Sequence, residues 1–192
     1  MANPENKVQF NLKNVHYAKM LTSGDIPTWA KPVKVPGAVS LSLDPQGEVT
    51  PFYADGIVYY QTVSNNGYSG DLEMARFPDQ MMQDIWGFQL GEDGVLTEFN
   101  NKEASAFALL YQIDGDADNQ FYCLFNCSAT RPDPGSSTTT ETKEPKTQTC
   151  TISAVPLEDN RVMSRTTSTT TEAVKNAWFD SVYAPTAAAQ ET

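Results

Sequence analysis

The chain holds few residues equipped for chemistry. His16 is its only histidine, so any Ser–His–Asp or Cys–His nucleophilic arrangement would have to use it. It stands in the strand-like run Asn14-Val15-His16-Tyr17 with no serine or cysteine beside it, and a structural role is expected. The densest carboxylate cluster, Asp114-Gly115-Asp116-Ala117-Asp118-Asn119, resembles the opening of a calcium loop. Such a loop needs glycine at its sixth position for the sharp turn and a bidentate glutamate at its twelfth. Asn119 and Phe125 occupy those positions, so the cluster reads as a hairpin tip and no metal is expected. Cys123, Cys127 and Cys150 lack a histidine at zinc-ligand spacing. Cys123 and Cys127 stand four positions apart on one strand, roughly 13 Å and beyond disulfide reach, so buried free thiols are expected. The glycines form neither GxGxxG nor a phosphate loop. No catalytic residue, cofactor or metal ligand is assigned. An enzyme working through the acidic middle of the chain is disfavoured, because no carboxylate pair converges in sequence.

The elements around these residues are strands. Ser105 to Ile113 places Phe107, Leu109, Tyr111 and Ile113 on one face and Ala106, Ala108 and Leu110 on the other, so both sides are expected to be covered. Phe121 to Cys127 follows, with Phe121, Cys123, Phe125 and Cys127 sharing a face. Thr147 to Val155 alternates Cys150, Ile152 and Ala154 with threonine and serine. These three strands are expected at the centre of an antiparallel sheet. Val8 to Tyr17 alternates as a strand through Val8, Phe10 and Leu12. Met20 to Ala30 reads as a loop, and Val33 to Leu43 as a strand interrupted at Pro36-Gly37. Asp44 to Gly47 reads as a turn, and Phe52 to Gly56 as a short aromatic segment ending in one. Ile57 to Ser64 and Tyr68 to Phe77 are expected to pair through Asn65-Asn66-Gly67. Pro78 to Trp86 is the best helix, with Pro78 as its first residue and Gly87 ending it. Phe88 to Phe99 reads as a hairpin, and Arg161 to Thr171 as a strand or connector. Glu172 to Tyr183 reads as a helix capped by Thr171.

The expected organisation is one domain over residues 1–183, with an N-terminal arm and a mobile loop at 132–147, and a flexible tail over 184–192. Charge is uneven: the net charge is −11. Between Asp44 and Asp118 stand 14 acids against Arg76 and Lys102 alone, while residues 1–34 carry five lysines. Two readings fit this asymmetry: attraction of the two regions between copies, or a solvated acidic surface that aids solubility. Acidity argues against binding nucleic acid, which rests on basic groups neutralising phosphates. The N-terminus lacks an apolar targeting core and no stretch approaches membrane-span length, so a soluble product of the cytoplasm is expected.

Several motifs carry a resemblance. Lys13-Asn14-Val15-His16-Tyr17-Ala18, Pro36-Gly37-Ala38-Val39-Ser40-Leu41-Ser42-Leu43-Asp44, Phe52-Tyr53-Ala54-Asp55-Gly56 and Asn66-Gly67-Tyr68-Ser69-Gly70-Asp71-Leu72-Glu73 occur in order. Tyr122 to Pro132 and Thr142 to Thr147 follow them. Together, from Val8 to Tyr183, they resemble the major tail proteins of long, non-contractile bacteriophage tails. The resemblance implies a mainly β fold of two packed antiparallel sheets, a β-sandwich or flattened barrel, flanked by one short α-helix. It also implies hexameric rings that stack into a tail tube conducting genomic DNA, with other tail proteins as partners, in a virion made in the host cytoplasm. Lys13, Lys19, Trp29, Lys31, Tyr53, Asp55, Tyr68 and Arg131 are the expected subunit-interface residues. The alternative is another non-enzymatic β-sandwich interaction module, such as a head-completion or adhesion protein.

Overall fold

The computed structural model describes residues 5–24, 27–136, 138 and 145–185. The strands are β1 (Gln9–Thr22), β2 (Thr28–Trp29), β3 (Val33–Lys34), β4 (Ala38–Gln46), β5 (Val49–Ala54), β6 (Ile57–Val63) and β7 (Gly67–Met74). After helix α1 (Asp79–Trp86) come β8 (Gln89–Leu90), β9 (Leu96–Thr97), β10 (Phe107–Gly115), β11 (Gln120–Ala129), β12 (Gln148–Ala154) and β13 (Met163–Arg165), then helix α2 (Glu172–Ala177). The protein is mainly β, built on one large antiparallel sheet in the order β2-β1-β10-β11-β12-β7-β4. As expected, β10, β11 and β12 lie side by side at its centre.

The sheet curls on itself because one segment serves both of its ends. Val33 and Lys34 pair with Tyr17 and His16 of β1, and beyond the Pro36-Gly37 interruption the same segment pairs with β7 as β4. Inside the curl lie Val15, Tyr17, Leu72, Met74, Phe107, Leu109, Tyr111, Leu124, Cys150 and Ile152, with α1 contributing Met81, Ile85 and Trp86. Helix α1 is too short to hold without packing. It is fixed by that apolar stripe and by the Trp86 indole, whose N–H is shared between the carbonyls of Ala129 and Thr130 at 3.1 and 3.0 Å. Pro78 occupies its N-cap rather than its first turn, and Gly87 closes it at φ 72°. On the outer face Ala18, Ala108, Leu110, Cys123 and Phe125 are covered by Trp178, with Trp29, Phe121, Val174 and Phe179 packed around them. Both faces of β10 are therefore buried, as its sequence requires.

Several expectations need correction. Val8 and Phe10 are exposed, because β1 carries bulges near Asn11 (φ 67°) and Asn14 (φ 48°) that reset its alternation. Leu12, Val15 and Tyr17 face inward instead. Cys127 does not share a face with Cys123: a register shift between β10 and β11 turns it to the inner cluster beside Leu124. Met20 to Ala30 is not all loop, since β1 continues to Thr22 and pairs with β2. Asp44, Pro45 and Gln46 belong to β4 and do not form a turn. α2 spans only Glu172–Ala177, and the Thr171 side chain makes no capping bond. Residues 137 and 139–144 of the expected mobile loop, and 186–192 of the expected tail, lie outside the described residues.

The largest correction concerns Asn65-Asn66-Gly67, which is not a hairpin turn. β6 pairs with β5 around Asp55-Gly56, while β7 pairs with β4 and β12. Asp55 (φ 52°) and Gly56 (φ 77°) both take left-handed conformations, the requirement of a tight two-residue hairpin turn. Gly67 (φ 97°) is needed for closeness instead, because a Cβ there would lie 1.9 Å from the Ala154 carbonyl oxygen. Residues 38–74 thus make one long hairpin. Its lower half belongs to the sheet and its upper half, β5–β6, leaves it.

Candidate assembly surfaces

The upper half of that hairpin is an arm. β5 and β6 hydrogen-bond only to each other, and six and seven residues give a reach of roughly 20 Å. The arm is held at its base by the Ser64 N–H to Glu48 carbonyl bond and the Asn66 N–H to Gln46 carbonyl bond. Val49, Phe52, Tyr53, Ile57, Val58, Tyr59, Tyr60 and Val63 are all exposed, Tyr59 at 70% and Val63 at 73%. Register places Val49, Val63, Tyr53 and Val58 on one face and Phe52, Tyr60, Ala54 and Ile57 on the other. Both faces are therefore apolar and both stand in water. A two-stranded hairpin of this kind is marginal on its own, and contiguous apolar surface of this extent marks an interaction site.

The outer face of β4, β7 and β12 has the opposite character. Register sets Ser40 beside Glu73, Ser42 beside Asp71 and Asp44 beside Ser69; Thr149, Thr151 and Ser153 continue the same rows on β12. The Thr147 and Ser40 hydroxyls donate to Glu73 and hold its carboxyl below the usual range, so it is ionised at neutral pH. Thr151 Oγ1 donates to Asp71 at 2.8 Å. The rows contain three carboxylates, several hydroxyls and no lysine or arginine.

A third surface lies at the end of α1. A cleft of about 560 Å³ is lined by Trp86, Phe99 and Ala104, with Glu98, Lys102 and Arg131 at its rim. Arg131 is ion-paired with Glu98. Lys102 is exposed and makes no ion pair among the described residues.

The carboxylate cluster at 114–119 is a hairpin tip joining β10 to β11, and its groups are engaged by the protein. Asp114 accepts hydrogen bonds from Lys13 at 2.5 Å, Gln112 and Asn11, and the lysine contact comes first among those holding its carboxyl below the usual range. Asp116 accepts the Lys7 amide at 2.8 Å. Asp118 pairs with Lys175, whose side chain is 7% exposed, and this bond holds the lysine above its ordinary range. The Asn6 side chain caps the tip through Ala117, Asp118 N–H and Asp118 carbonyl. His16 is half-buried and stacked on Phe179 at 4.4 Å, with Nδ1 2.7 Å from the Asn14 carbonyl. The three cysteines are free and buried; burial pushes the Cys123 and Cys150 thiols up to about 12 and raises Cys127 as well.

The expected interface residues fall into separate places. Tyr53 and Asp55 sit together at the arm tip, and Arg131 lies at the cleft. Lys31 is exposed and Lys19 half-buried. Three are occupied within the chain: Lys13 by Asp114, Trp29 by the Phe125 carbonyl and ring, and Tyr68 by partial packing against the inner core. Phe52, Ile57, Val58, Tyr59, Tyr60 and Val63, exposed on the same arm, are not among the expected interface residues. The signal for them is a run apolar on both parities within a hairpin that has no third strand. No helix among the described residues is long and apolar enough to cross a membrane. No protein-family model matches the sequence, and no curated protein matches it significantly.

Proposed function

We propose that this chain is the subunit of a bacteriophage tail tube, closing with five further copies into a ring and stacking ring upon ring around a DNA conduit. The observation that carries the reading is the β5–β6 arm. An apolar hairpin with both faces in water needs covering on both, and one partner covers only one. A subunit held by neighbours within its ring and in the next ring meets that need. Head-to-tail contacts of this kind close into rings or extend as filaments. The hydroxyl- and carboxylate-bearing face of β4, β7 and β12 supplies a wall that does not hold phosphate, because it offers no cation to replace the counterions of the duplex. The role is structural, the partners are further copies, other tail proteins and passing DNA, and the location is the virion tail.

Sedimentation velocity over rising protein concentration tests this reading. Species at six times 21.1 kDa and larger multiples are expected. A single 21.1 kDa species at every concentration contradicts it.

A further inference from the structure

We propose that the arm tip of one copy, Tyr53 to Ile57, seats in the Trp86–Phe99 cleft of a second copy, with the Asp55 carboxylate against Lys102. This assignment rests on the tube reading and names the contact within it. The two surfaces are complementary in charge. From Asp44 to Met74 the chain carries five acids and no lysine or arginine, and Asp55 is the one acid at the tip. In the acidic stretch from Asp44 to Asp118 the only two cations are Arg76 and Lys102. Arg76 is paired with Asp79, whereas Lys102 stands at the cleft rim without an ion pair among the described residues.

They are also complementary in shape and polarity. The tip presents Tyr53 on one face and Ile57 on the other, 64% and 63% exposed, beside the two-residue turn Asp55-Gly56. The cleft offers Phe99 (44% exposed) and Ala104, with the buried Trp86 indole (4% exposed) behind them, in a volume of about 560 Å³ that falls within the range of binding pockets. An aromatic anchor entering such a pocket, ringed by polar groups, is the usual form of an energetic hot spot. The contact joins different patches of two copies, so it propagates instead of closing as a dimer.

Cysteines at Ala54→Cys and Asn100→Cys test the contact, because both positions adjoin it and neither supplies its anchors. The native thiols are buried and protonated and do not compete. Mild oxidation of the double variant should give a ladder of disulfide-linked multimers that either single variant lacks. Tubes that form without the ladder overturn the docking assignment and leave the tube reading standing. An internal link within one chain also overturns it, making the arm's own cleft the occupant. A protein that never assembles overturns both. As a second readout, Lys102→Glu should raise the concentration needed for assembly about tenfold, and much less in the Asp55→Asn background, which keeps the left-handed turn. An equal effect in both backgrounds contradicts the pairing.

Discussion

At the residue scale, the tip carboxylates, His16 and the three cysteines are all engaged or buried within the chain. Each carboxylate of the 114–119 tip already has a partner from the protein: Lys13, the Lys7 amide or Lys175. Calcium therefore has no folded site to favour, and millimolar calcium should leave the melting temperature unchanged; a calcium-specific rise of several degrees would contradict this. His16 behaves differently with pH. Burial holds its pKa below the ordinary 6.5, against the raising effect of the Asn14 carbonyl and with a smaller lowering by Lys34. Its neutral form is favoured in the fold, so the unfolded chain takes up a proton first. The stability this contributes is present above pH 6.5 and is lost as pH falls through the folded value. Wild-type melting temperature should drop between pH 7.5 and pH 5.5, and His16→Phe, which keeps the stack on Phe179, should flatten that drop. The carboxylates with lowered pKa, Glu73, Asp114 and Asp159, act only below this window.

At the element scale, burial separates positions that hold the fold from positions proposed to hold partners. Leu124→Ala removes a fully buried side chain and should cost about 2–5 kcal/mol in chemical denaturation. Gly67→Ala sets a Cβ against the Ala154 carbonyl at a positive φ and should also destabilise, by about 1–3 kcal/mol. Tyr59→Ser and Val63→Ser on the arm should each change monomer stability by less than about 0.5 kcal/mol while weakening assembly, since both side chains stand in water. Equal losses in stability at arm and core positions would mean that the arm is part of the fold.

The same contrast marks what the sequence conveyed at this scale. β10, apolar on both parities, announced that both of its faces are covered, and Cys150, Ile152 and Ala154 announced the inward face of β12. Single-residue bulges at Asn11, Asn14 and within β11 were not legible, because one inserted residue shifts every later side chain while leaving the composition unchanged. Asn65-Asn66-Gly67 offered a stronger local turn signal than Asp55-Gly56. Its glycine answers a tertiary demand, the approach of the Ala154 carbonyl, which no local pattern reveals.

At the scale of the whole molecule, charge and apolar surface act in opposite senses on the proposed assembly. The −11 net charge makes copies repel, and exposed ion pairs return only about 0–1 kcal/mol each. The basic N-terminal end contributes less between copies than its sequence suggests, because Lys13 is already paired with Asp114. Moderate salt should therefore lengthen assemblies by screening repulsion while leaving apolar arm contacts intact; light scattering that falls with added salt would assign the stacking to ion pairs instead. The cleft was illegible because its lining comes from residues 86, 98–104 and 129–131, which only the fold brings together.

In the proposed tube, the β5–β6 arm is what joins one copy to the next. Electron microscopy of the concentrated wild-type chain beside a variant whose residues 49–63 are replaced by Asn-Gly tests it most directly. The wild type should form hollow tubes of stacked six-fold rings, and the shortened variant should remain folded and monomeric. Tubes from the shortened variant, or a wild type that forms none, would contradict the claim.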